Sequence, residues 1–182
     1  MINKKRGNNK RPLTFENLEP RTPLAGLTLI THGFQLGDDP NLPRWVNSMA
    51  EETRKAIATS YGHSERYEDI ASFNLELIEN NSNQIQVSDW DYSNYQHNSE
   101  LNDYNLSDSF NAEAIITLDW SSIAAVNETS TITVARTVSD YLLNSNWNLG
   151  KQLLSSGIHL IGHSRGASLV SALAENLGKE GI

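Results

Sequence analysis

The sequence contains no cysteine, which excludes disulfide cross-links and thiolate metal sites and leaves the redox compartment unread. It also has no apolar run near the roughly 18 residues that a spanning helix needs, so no transmembrane segment is expected. The longest apolar stretches, Gly26 to Ile30 and Ile158 to Ile161, have strand length. Basic charge is scarce beyond the head of the chain: residues 1 to 21 hold six basic and two acidic groups, leaving eight basic against twenty acidic in the rest. Without clustered Lys and Arg, the acidic body argues against binding a nucleic-acid backbone, and its charge serves solubility instead. EF-hand spacing is absent as well. Asp89, Asp91, Asp103 and Asp108 are acidic enough for calcium, but a solvated loop explains them more simply.

What is present is the making of one α/β domain. With 182 residues, 38% hydrophobic and 20% charged, the chain can bury a sizeable core. Residues 1 to 25 form a basic head without periodicity, expected to be disordered. No apolar segment of 7 to 15 residues follows its charges, which excludes an ordinary cleavable secretory signal. From residue 26 onward, strand and helix patterns alternate. Leu27 to Thr31 is a strand running into His32-Gly33-Phe34. Pro43 opens a helix on which Trp45, Val46, Met49, Ala50, Thr53, Ala56 and Ile57 share one face, the aromatic and Met residues being expected in the core. A polar insertion over residues 62 to 111 holds two short strands near Ile70 to Leu75 and Ile85 to Val87, which could form a hairpin. Ala112 to Leu118 is the next strand, and Ile132, Ala135, Val138 and Leu142 mark a further helix. The fold class expected is therefore α/β, with a mostly parallel sheet and flanking helices.

The chemistry is carried by Gly157 to Leu177, GIHLIGHSRGASLVSALAENL. An apolar run breaks at Gly162-His163-Ser164-Arg165-Gly166 and resumes with helical spacing through Leu169, Val170, Leu173 and Leu177. Strand, turn and helix around G-x-S-x-G form a nucleophile elbow, in which a strained turn lifts the serine hydroxyl above the sheet end. Gly162 and Gly166 remove side chains that would strike the neighbouring strand or the following helix. The plainer alternative is a βα turn with an inert serine. The His32-Gly33-Phe34 junction is of catalytic type too, because a developing oxyanion needs two fixed N–H donors, one from the loop after an early strand and one from the residue after the serine.

Taken in order, THGF, a helix bearing Trp45, ITLDW, a helix and IHLIGHSRGA, the chain resembles the pancreatic-lipase-like branch of the α/β-hydrolases. The resemblance implies Ser164 as nucleophile, backbone N–H groups of Phe34 and Arg165 as the oxyanion hole, and His32 and Gly33 in the substrate loop. It implies a structural Asp119, packed structural roles for His163 and His159, and an incomplete α/β-hydrolase fold acting on a lipid or other carboxylic ester. No cofactor and no metal are implied. The chain departs from the family in three ways. Phe34 and Asp119 are 85 positions apart, Arg165 stands where a small or apolar residue is common and should alter the pocket wall, and the chain stops at Ile182. The triad runs Ser, then acid, then His in these enzymes, so acid and base are expected beyond Ile182, and the truncated chain is expected to be nearly inactive. His32, His63 or His97 could serve as base only in a permuted topology.

A second resemblance concerns the head. Leu18, Glu19, Pro20, Arg21 and Leu24 are similar to the LEPR-type N-terminal segment of large exported bacterial proteins, which implies an extracellular or cell-surface location. The alternative is a solvated linker in a cytoplasmic protein. The rival to the enzyme reading is a non-catalytic binding module of a larger exported protein. Right-handed crossovers and the hydrolase resemblance place the Leu27 to Thr31 strand between the other two parallel strands. The Ser164 strand is then left at an edge through which copies could associate.

Overall fold

The structure is a computed structural model, and the residues it describes are 26–33, 42–62, 64, 70–82, 84–91, 113–124, 129–144 and 154–182. The basic head with its LEPR-like motif, Phe34, His63 and His97 lie outside them.

Nine elements are described: β1 (Gly26–Thr31), α1 (Arg44–Ser60), β2 (Ala71–Glu79), β3 (Ile85–Asp91), β4 (Glu113–Asp119), α2 (Ser121–Ala124), α3 (Thr131–Asn144), β5 (Ile158–Gly162) and α4 (Arg165–Lys179). The strands form one sheet in the order β3-β2-β4-β1-β5. All neighbours run parallel except β2 and β3. β1 lies between β4 and β5, as the crossover argument requires. It is buried along its whole length, as is β4, which is how a parallel strand covered by helices on both faces reads. β5 is only partly covered and pairs with β1 alone among the described residues.

The connections explain the layers. The path from β1 to β2 crosses β4 in one direction, and that from β4 to β5 crosses β1 in the other, so right-handed crossovers send α1 and α3 to opposite faces. Val46, Ala50 and Ala58 of α1 accordingly pack with Ile30, Ile70 and Ile115, while α3 and α4 pack with Leu27, Leu29, Phe73, Leu75 and Ile116 on the other face. Arg54 is the buried cation of α1. Its Nε donates to the Ile70 carbonyl at 3.1 Å and fixes the helix to the start of β2.

Three sequence expectations change here. The strands of the polar stretch do pair antiparallel, but β2 also joins β4 in parallel and buries Phe73, Leu75 and Leu77, making it a strand of the main sheet. The polar residues around it concealed that alternation. Trp45 and Met49, expected in the core, are exposed, because α1 contacts the sheet along a stripe of period four through Val46, Ala50, Arg54 and Ala58. Ile132 likewise faces outward, and Val134 joins Ala135, Val138 and Leu142 inside.

At the amino end of the sheet Glu113 is buried, with the Tyr61 hydroxyl donating to it at 3.5 Å. Burial raises its carboxyl to about 7, against the opposing effects of the hydrogen bonds from Tyr61 and the Gly26 backbone.

Candidate active site

Adjacent parallel strands whose following helices lie on opposite faces leave a crevice at their carboxyl ends. β1 and β5 are such a pair, since α1 and α4 flank opposite faces. β5 holds the ladder past its end, with His163 N donating to Thr31 O at 3.3 Å. The backbone then turns sharply at Ser164, whose φ of 57° and ψ of −126° make it the only non-glycine residue of positive φ among those described. Such a conformation costs an L side chain about 1–3 kcal/mol.

A serine opening a helix usually turns its hydroxyl inward to accept a bond from the first-turn N–H groups. Ser164 opens α4, yet its side chain makes no cap bond, and the residue is exposed. The first turn closes through backbone bonds instead, from Gly166 N to His163 O and from Ala167 N to Ser164 O, both 2.9 Å. The hydroxyl has no side-chain partner among the described residues.

Three glycines let the two junctions meet. A Cβ on Gly33 would stand 2.6 Å from Ser164 Cβ, 2.6 Å from His163 O and 2.9 Å from Arg165 N. One on Gly162 would fall 2.8 Å from Ala167 N, inside the first turn of α4. One on Gly166 would strike the His32 carbonyl and lie 3.1 Å from Thr31 O. β1 therefore ends directly under the start of α4. As the first residue of that helix, Arg165 has no intrahelical acceptor for its N–H, which stands beside Gly33 at the positive end of the helix dipole.

Behind this contact lies a braced cluster. The Trp120 indole Nε1 donates to the His32 carbonyl at 3.0 Å, and the two rings stack with centroids 5.7 Å apart. The Gly33 carbonyl, 2.8 Å from His32 Nδ1, can only accept, so that nitrogen carries a proton. Nε2 stands 3.3 Å from Trp120 N and 3.5 Å from Asp119 Oδ1. In the neutral ring it accepts from the Trp120 N–H, and in the charged ring it donates to the carboxylate. Burial tends to raise Asp119, but hydrogen bonds from His32 and from the hydroxyl and N–H of Ser121 outweigh it and hold the carboxyl below its usual range.

The Arg165 side chain turns away from Ser164. Its guanidinium donates to Ala124 O at 3.0 Å and Thr129 O at 2.7 Å, and its Cζ lies 5.4 Å from the centroid of the Trp120 ring. The expected change of pocket wall thus gives way to a clamp across residues 124 and 129. His32 differs too. Its ring is buried in the brace, so only its backbone borders the junction. His159 on β5 and His163 just past its end, both expected to be packed, are exposed, β5 having no strand beyond it among the described residues, and His163 meets the Trp45 ring edge-on at 5.7 Å. Ser164, Gly33, Arg165, Gly162 and Gly166 come together, while Phe34 lies outside the described residues. No group of three or more metal-binding side chains occurs among the described residues, and no helix there is long and apolar enough to cross a membrane. The sequence reading missed the roles of Trp120 and the Arg165 side chain. The DW pair was its nearest signal, but a contact spanning 45 positions has no local period.

Comparison of the chain with protein-family models, with curated proteins and with solved structures found no match.

Proposed function

We propose that the chain carries the nucleophile and oxyanion half of a serine esterase. The observation that carries this reading is the Ser164 backbone at φ 57°, ψ −126°, which leaves its hydroxyl uncapped and exposed beside the Arg165 N–H and Gly33. In the proposed reaction Ser164 Oγ attacks the carbonyl carbon of a carboxylic ester. The carbonyl oxygen takes up negative charge facing the Arg165 N–H, the Phe34 N–H being the second donor that the hydrolase resemblance implies, and collapse breaks the bond to the alcohol, which leaves with the serine proton. Water then hydrolyses the acyl-enzyme to the carboxylic acid and restores the hydroxyl.

A base must take the serine proton in the first step and activate water in the second. Among the described residues no side chain does this for Ser164, because His32 is committed to Gly33, Trp120 and Asp119. Acylation of Ser164 without help from these side chains is slow, and release slower. The test is intact-mass spectrometry after incubation with 4-nitrophenyl butyrate. A single butyryl group on Ser164, absent from Ser164→Ala, is the expected result. No acylation at Ser164 over hours at mildly alkaline pH would replace the esterase with a non-catalytic binding module.

A further inference from the structure

α1 carries two kinds of apolar residue. Val46, Ala50 and Ala58 are buried against the sheet, whereas Trp45 and Met49, one turn apart, are 37% and 38% exposed. A helix packed on one face ordinarily presents polar side chains on the other, so an apolar pair held at the surface needs a reason. Its location supplies one. α1 starts from the carboxyl end of the sheet, so Trp45 in its first turn stands at the Ser164 end, and its ring touches His163, the residue before Ser164. Ile161, two positions earlier on the same face of β5, packs partly buried against the α1 cluster and carries the apolar surface inward.

We infer that Trp45 and Met49 form the subsite for the aliphatic acyl chain of an ester whose carbonyl stands at Ser164. This rests on the reading of Ser164 as nucleophile, and it names the substrate class of that site. A helix rises 1.5 Å per residue, which sets Met49 about 6 Å beyond Trp45, a span of about four to five methylenes. Affinity should climb with chain length over that span and then level off. Short and medium acyl chains are thereby favoured over acetyl.

The subsite can be tested without turnover. The 182-residue chain is titrated with methyl ketones from acetone to 2-decanone, which share the carbonyl and chain but carry no leaving group. The readout is the Met49 methyl carbon signal, one of only two methionine signals in the chain. The expected result is a saturable Met49 shift, with Kd falling about fourfold for each methylene that reaches the strip. Trp45→Ala, which keeps the Met49 signal, should flatten that dependence, and Ser164→Ala should leave it intact. A Met49 signal indifferent to every ketone, or a shift independent of chain length, overturns the inference. So does a signal that moves with protein concentration when no ketone is present, which would assign the pair to contact between copies. Fluorophosphonate labelling of the same samples separates the two claims. Ketone dependence without labelling sinks the nucleophile and leaves the apolar site standing, while labelling with a silent Met49 does the reverse.

Discussion

α1 and α4 start with the same kind of residue and use it in opposite ways. α1 opens Pro43-Arg44-Trp45 and α4 opens Ser164-Arg165-Gly166, and neither helix is capped by a side chain. Pro43 has φ −57° and ψ 133°, an ordinary entry for an L residue, whereas Ser164 stands at φ 57° and ψ −126°. Arg44 is exposed, while Arg165 is half-buried and holds two carbonyls. At the second helical position α1 has an exposed Trp, and α4 has a glycine lying on the His32 carbonyl. α1 demonstrates that a helix can start at this end of the sheet without strain. Twelve residues separate β1 from α1 and two separate β5 from α4, so the strain falls at the tighter turn, where the Ser164 side chain is left uncapped and the residue exposed.

The largest effect expected on this contrast comes from the second positions. Gly166→Ala puts a methyl into the backbone of β1 and should destabilise by about 3 kcal/mol or more, whereas Trp45→Ala, which removes a partly covered ring, should cost only about 1 kcal/mol. Urea unfolding of the pair measures the difference.

Acidity sharpens the comparison by isolating a group remote from both helix starts. Glu113 has a folded pKa above its unfolded one, so the folded state favours the protonated form. Its penalty is small below about pH 4.5, grows as pH rises and is complete only above about 7. Glu113→Gln should consequently raise stability at pH 8 by about 2 kcal/mol, allowing 1.36 kcal/mol per pKa unit and some solvent screening. At pH 4.5 it should change little, and thermal unfolding at both values checks this.

Smaller effects divide the first and capping positions. Arg165→Ala loses two hydrogen bonds and the Trp120 contact and should cost about 1–2 kcal/mol, against a near-neutral Arg44→Ala. Ser164→Gly should go the other way. Glycine adopts positive φ freely, and relief of strain less the entropy of glycine leaves a gain of about 1 kcal/mol, seen as a rise of roughly 2–4 °C in Tm. Ser164→Ala, which keeps a Cβ, should give no such gain.

The same contrast explains what could be read from the chain. β1, β4, β5 and α4 are legible because Leu27 to Thr31, Ala114 to Leu118, Ile158 to Ile161 and the Leu169-Leu173-Leu177 stripe carry their period in adjacent residues. The close approaches at Gly162 and Gly166 are legible because a glycine beside a strand end has few other uses, whereas the meeting of Gly33 with the start of α4 joins residues some 130 positions apart. β2 was underestimated, since its apolar alternation sits within a polar stretch and its partner β4 lies some forty positions away. The exposure of Trp45 is not legible because hydropathy gives a helix its apolar arc but not the edge at which a partner stops covering it. The Arg165 clamp was invisible because its acceptors are backbone carbonyls, which every residue has.

Treating the chain with an alkyl fluorophosphonate and mapping the adducts by peptide mass spectrometry tests the central claim most directly. α4 supplies its own controls, for Ser168 and Ser171 are also exposed but sit in unstrained helix, and the Ser171 hydroxyl donates to Ala167 O at 3.0 Å. The account predicts one adduct, on Ser164, formed faster as pH rises and lost in Ser164→Ala with the fold intact. Labelling spread evenly over Ser164, Ser168 and Ser171, or none at Ser164, would contradict it.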